Sequence, residues 1–123
     1  MIGCWQMHES ARRVIAESDQ LKERGLGIRF PLPELGERVT GFVVRYEGKV
    51  YAYVNECKHL PVELDWNEGD FFDLDKQFLI CATHGATYRP DNGLCVMGPC
   101  QGRVLQRLNV EEHEGKIMLY LNN

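Results

Sequence analysis

The chain predicts an all-β fold, an antiparallel sandwich or small barrel, on three observations. Short runs rich in β-branched and aromatic residues recur along its length. Gly and Pro punctuate the intervals between them, and helical periodicity is confined to one short segment. At 123 residues, 44% hydrophobic and 26% charged, there is room for one modest core and not for two.

Residues 1–13, with Cys4, Trp5 and His8, carry no apolar leader core and read as a loosely attached extension to a single domain over residues 14–123. About eight strands are expected, at Val14–Ile15, Ile28–Phe30, Val39–Tyr46, Lys49–Val54, Gln77–Cys81, Ala86–Tyr88, Val104–Val110 and Lys116–Leu121. Thr40 to Val54 reads as a hairpin turning at Glu47-Gly48, and the alternation in its arms suits a sheet with one buried face. Further turns fall at Pro90-Asp91-Asn92-Gly93 and Glu114-Gly115. Ser18–Arg24 has helical character, with Ser18 as N-cap and Gly25 past its end, but is too short to build a core.

A formal charge of -4 offers no basic stripe for phosphates, which argues against nucleic acid and for a basic protein surface as partner. The apolar runs are too short to span a membrane. Five cysteines, Cys4, Cys57, Cys81, Cys95 and Cys100, are an odd number in a chain read as cytoplasmic, so metal binding is their leading use.

Cys57-Lys58-His59 and Cys81-Ala82-Thr83-His84 each place a thiol and an imidazole at the end of an expected strand, entering a turn. Two such loops suit one centre approached from opposite sides, and Gly85 lets the second loop turn close beside it. A mononuclear zinc site satisfies the same ligands, although zinc knuckles usually keep like ligands together, as Cys-x-x-Cys. Taken singly, each residue is more ordinary as a buried thiol or a surface imidazole.

Cys-x-His followed, after an insert, by Cys-x-x-His resembles the signature of the Rieske iron-sulfur family, and the resemblance runs from about Val14 to Leu121. It includes Gly98-Pro99, where Rieske proteins place a loop over the cluster. His59 to Trp66 and Gly98 to Gly102 resemble a bacterial group of stand-alone Rieske ferredoxin-like proteins. The resemblance implies a β-sheet base carrying a cluster-binding subdomain made of loops 57–60, 81–88 and 95–100. It also implies one 2Fe-2S cluster, with Cys57 and Cys81 on one iron and His59 and His84 on the other. Two ferric ions, two sulfides and two thiolates sum to zero charge, so such a centre accepts an electron more readily than an all-cysteine one.

Several positions depart from the high-potential members of the family. Val62 and Thr83 stand where those proteins carry bracing cysteines, and Ala86 where they carry a serine hydroxyl. Tyr88 stands where they place a tyrosine that reaches a ligand thiolate. The implied role is a one-electron carrier between a reductase and an oxygenase or other oxidoreductase, without an organic substrate of its own. A small subunit of a larger oxidoreductase and a redox-sensing binding module are the alternatives.

Cys95 and Cys100 suit packing, a disulfide or a further ligand pair, with packing favoured in a reducing compartment. Between the ligand pairs, Leu60 to Asp75 holds Glu63, Asp65, Glu68, Asp70, Asp73 and Asp75 without a Lys or Arg, a solvated loop or a docking surface. Its Trp66, Phe71 and Phe72 are expected to pin it to the body.

Overall fold

In a computed structural model of the chain, residues 12–58 and 62–120 are described. Strands β1 (Arg12–Glu17), β2 (Ile28–Pro31), β3 (Thr40–Tyr46), β4 (Lys49–Val54), β8 (Arg107–His113) and β9 (Lys116–Tyr120) form one antiparallel sheet in the order β1-β9-β8-β4-β3-β2. A second sheet holds β5 (Leu79–Ile80), β6 (Thr87–Tyr88) and β7 (Cys95–Met97). The larger sheet curls toward a barrel. Arg13 of β1 spans its two edges, donating to the Pro31 carbonyl of β2 at 2.6 Å and pairing with Glu34 at 3.1 Å.

Turn chemistry sets the two long hairpins. At Glu47-Gly48 both residues have positive φ, 51° and 81°, the type I′ geometry that matches strand twist, and Glu114-Gly115 repeats it at 52° and 78°. The carboxylate of Glu23 accepts the amides of Glu47 at 2.6 Å and Gly48 at 2.9 Å, tying the first turn down.

Two cores share one pair of strands. Val43 and Ala52 face the barrel interior with Phe30, Leu32, Leu108, Ile117 and Leu119. Phe42, Val44 and Tyr53 face the other way, onto Leu64, Phe71, Leu79, Tyr88 and Leu105. The expected single buried face therefore does not hold for β3 and β4, because the smaller sheet and its loops cover the outer side. Phe71 stacks on Phe42 with ring centroids 3.9 Å apart, a burial worth about 2–3 kcal/mol per ring.

Three local expectations are corrected. Ser18–Arg24 is not a helix but a 3-10 turn at Ser18–Gln20 preceded by Glu17, whose amide donates to the Gln20 side chain at 2.8 Å. Arg24 takes φ 54° and its amide donates to the Arg45 carbonyl at 2.8 Å, so pairing with β3 captures a segment too short to hold a helix alone. β7 has no counterpart among the expected strands, and the strand expected at Val104–Val110 lies at Arg107–His113, with Val104 in an isolated bridge to Leu94.

Candidate metal centre

The two loops that carry the Cys-His motifs leave the ends of β4 and β5. Past β4 the Cys57 amide donates to the Val62 carbonyl at 2.8 Å. Cys81 follows β5 directly; its amide donates to the Ala86 carbonyl and its own carbonyl accepts the Gly85 amide, both at 2.8 Å. The Ala82 amide donates to the Leu64 carbonyl at 3.0 Å, stitching one loop to the other. As a result the sulfurs of Cys57 and Cys81 and a ring nitrogen of His84 all lie within 4.8 Å of one another. His59 lies outside the described residues, as do Cys4 and His8. His113 is at the end of β8, exposed beside Glu114.

Both thiols are buried, whereas the imidazole is half-buried. Burial pushes the Cys81 thiol pKa up, while the amides of His84 and Thr83 directed at its sulfur pull it down. A bound cation would draw off that proton, and the two amides already favour the thiolate it would leave.

Tyr88 links this group to the third loop. Its hydroxyl accepts the Lys58 amide at 3.0 Å and lies 3.5 Å from the Cys57 sulfur and 3.1 Å from the Cys100 sulfur. Burial, followed by the contacts with Cys100 and Cys57, pushes its pKa far above that of a free phenol, so it remains a donor. Gly98 carries the third loop past the second: a Cβ there would sit 2.9 Å from the Ala86 Cα, and its φ of 104° suits glycine alone. Cys95 and Cys100 are free buried thiols, as the packing reading expects.

Sequence reasoning missed a clamp behind the first loop. The Asn55 side chain accepts the Leu64 amide at 2.8 Å and donates to Asp65 at 3.0 Å. Asp65 in turn accepts the Gly69 amide at 2.9 Å and lies 3.8 Å from the Arg29 guanidinium. The signal was present as an acid set between two apolar residues, Leu64-Asp65-Trp66. Arg29 and Thr40 also hold Glu63, and Asp73 accepts the Gln77 amide, so with Asp65 three of the six acids in the insert have hydrogen-bond partners within the fold. Phe71 and Phe72 are buried as expected, but Trp66 is 79% exposed and pins nothing.

The sequence pattern of a Rieske 2Fe-2S domain matches residues 12–113. The chain belongs to the Rieske family. That family's cofactor is a 2Fe-2S cluster, and two thiols with an adjacent imidazole are a donor set that fits it. Among solved structures, the Rieske fold here is similar to the terminal oxygenase of carbazole 1,9a-dioxygenase from Novosphingobium sp. KA1, with TM-score 0.73 and 28% identity over 91% of this chain and 30% of that one. The reduced complex between oxygenase and ferredoxin in carbazole 1,9a-dioxygenase gives TM-score 0.74 and 25% identity over 91% of this chain and 28% of that one. This chain thus spans about three tenths of those two. The ferredoxin of carbazole 1,9a-dioxygenase from Nocardioides aromaticivorans IC177 shares the fold, with TM-score 0.70 and 21% identity over 91% of this chain and 99% of that one. No curated protein sequence matches the chain.

Proposed function

We propose that this Rieske protein is a one-electron carrier, with its 2Fe-2S cluster held by Cys57, His59, Cys81 and His84. The observation that carries the reading is an asymmetry: Cys57 and Cys81 are buried while His84, within 4.8 Å of both sulfurs, is half-buried. When bound, the cluster supplies one-electron redox chemistry. The buried thiols of Cys57 and Cys81, with the amides directed at the Cys81 sulfur, would hold such a group out of water, and the half-buried His84 would be the ligand nearest a docked protein. Among the described residues no helix is long and apolar enough to cross a membrane, and we place the carrier in the cytoplasm between a reductase and an oxygenase or another oxidoreductase. The loops 57–60, 81–88 and 95–100 act as one cluster-binding subdomain of the domain at 14–123.

Anaerobically purified protein is expected to be red-brown, with about two irons and two acid-labile sulfides per chain and a reduced-state electron paramagnetic resonance signal of low average g. One zinc per chain and no labile sulfide would overturn the reading. His59→Ala and His84→Ala should lose or destabilise the cluster, whereas Cys4→Ser should keep it.

A further inference from the structure

The ligand set proposed above leaves two described cysteines unused, and they are adjacent. Cys95 in β7 and Cys100 beyond the Gly98-Pro99 turn are both buried thiols with their sulfurs 3.3 Å apart. The Cys100 thiol donates to Cys95, and the Cys95 thiol donates to the Met97 carbonyl at 3.3 Å. Cys100 also touches the Tyr88 hydroxyl at 3.1 Å, and that hydroxyl lies 3.5 Å from the sulfur of Cys57. A chain of contacts therefore runs from the thiol pair to a proposed cluster ligand.

We propose that Cys95 and Cys100 are a reversible dithiol-disulfide switch, closed by a small peroxide-class oxidant, whose state sets how Tyr88 hydrogen-bonds to Cys57. The coupling to Cys57 rests on the Rieske-carrier reading; formation of the disulfide does not. In the first step one thiol gives up its proton and its sulfur attacks the peroxide O–O bond, forming a sulfenic acid, while the departing hydroxide takes the proton and leaves as water. The second thiol then attacks the sulfenic sulfur, the S–S bond forms, and water leaves. In sum two thiols and one hydrogen peroxide give one disulfide and two waters; the sulfurs lose two electrons and the peroxide gains them. A dithiol reductant reverses the change by exchange.

The geometry permits closure. Bonded sulfurs sit about 2.05 Å apart, so the pair must approach by roughly 1.3 Å. Gly98 is held against Ala86, but Gly102 has open space where a side chain would be, and Met97, Pro99 and Gln101 are exposed. Movement consequently falls on Cys100, the member that touches Tyr88. Tyr88 has one proton to donate. With Cys100 drawn toward Cys95 and converted to a poorer acceptor, that proton goes to Cys57. A hydrogen bond to a ligand sulfur favours the electron-rich reduced state, so closing the switch should raise the midpoint potential.

The test treats loaded and cluster-free protein with stoichiometric hydrogen peroxide, blocks remaining thiols in denaturant, and maps peptides by mass. The expected result is a Cys95–Cys100 crosslink, two hydrogens lighter than the dithiol, reversed by dithiothreitol and lost in Cys100→Ser. In samples whose iron and sulfide are intact, the midpoint should rise on closure, and Tyr88→Phe should form the crosslink without the rise. Alkylation of both thiols after peroxide, sulfinic or sulfonic acids at these positions, or pairing with other cysteines would overturn the switch. A crosslink with an unchanged midpoint would overturn the coupling. If the protein binds no iron, the carrier reading fails, and the peptide map of the cluster-free chain still judges the disulfide. Should Cys100→Ser not fold, the map of the unaltered chain and Tyr88→Phe decide.

Discussion

Tyr88 holds a single proton between two sulfurs, and its neighbour Ala86 leaves a buried position without a hydroxyl. Both set how many hydrogen bonds reach the cluster end of the molecule. Tyr88→Phe should lower the midpoint potential by at most some tens of millivolts while Cys100 shares the proton, since a neutral hydrogen bond is worth about 1 kcal/mol and about 1.4 kcal/mol equals 59 mV for one electron. Ala86→Ser should raise it by a similar amount, and the unaltered protein should sit low in the Rieske range of about -150 to +300 mV. Protein-film voltammetry measures all three. At this scale the site was readable wherever the chemistry is local. Of the residues that the two Cys-His motifs single out, Cys57, Cys81 and His84 do come together, while His59 lies outside the described residues, and the Tyr88 contact with Cys57 followed from the resemblance. The Cys100 contact did not, because it depends on a third loop folding back through the Gly98 turn. Trp66 misled for a different reason: an aromatic residue beside Leu64 and Asp65 looks like an anchor, yet those two neighbours point inward and leave it outward.

Among the elements, the insert after the first ligand loop is held by Asn55 and Asp65 rather than by its apolar residues alone. Asp65→Ala strands the Gly69 amide and the Asn55 amide group in a buried place, and should cost about 2–4 kcal/mol by urea unfolding. Cluster retention should fall with it, because the same network positions the loop that begins at Cys57. A second prediction concerns acid. Arg45 of β3 donates to both carboxylate oxygens of Glu112 in β8, at 2.9 and 2.6 Å, and to the carbonyls of Leu21 and Ser18. The Arg45 side-chain hydrogen bond is the largest cause holding the Glu112 carboxyl down to about 2, from an ordinary 4.5. A depressed pKa contributes stability that is complete above 4.5 and is lost as the pH falls from there through about 2. For a pair near the surface the loss is about 1 kcal/mol, and Glu112→Gln should flatten that part of the stability curve. Urea midpoints between pH 5 and 2 compare the two chains. Strands with strong alternation or an Glu-Gly turn were legible, as at β3, β4 and β9. β7 has three residues, too few to show a period, and the end of β8 is Glu111-Glu112-His113, whose run of polar, exposed side chains carries no apolar alternation to mark a strand.

On the scale of the whole molecule, a six-stranded sheet serves two cores at once, and β3 and β4, buried on both faces, couple the barrel to the loops that hold the site. Charge is also a property of the whole. The chain carries -4, with Glu68, Asp70 and Asp75 exposed in the insert that joins the two ligand loops, whereas Lys58 and Arg103 stand together at the first loop, the Arg103 guanidinium 3.4 Å from the Lys58 carbonyl. Which sign a partner meets depends on how far the field reaches. At 0.01 M ionic strength the screening length is about 30 Å, so an approaching reactant feels the net charge; at 1 M it is about 3 Å, and only the nearest residues count. Reduced protein should therefore pass its electron to a small cationic oxidant roughly tenfold faster than to an anionic oxidant of equal driving force at 0.01 M. Raising the salt should slow the first reaction and speed the second until the difference closes. Replacing Glu68, Asp70 and Asp75 with their amides should shrink the low-salt preference, because three of the exposed negative charges are then gone. Stopped-flow oxidation across this range measures each rate. A faster reaction with the anionic oxidant at low salt would mean that Lys58 and Arg103 govern approach, and that the partner surface is acidic rather than basic.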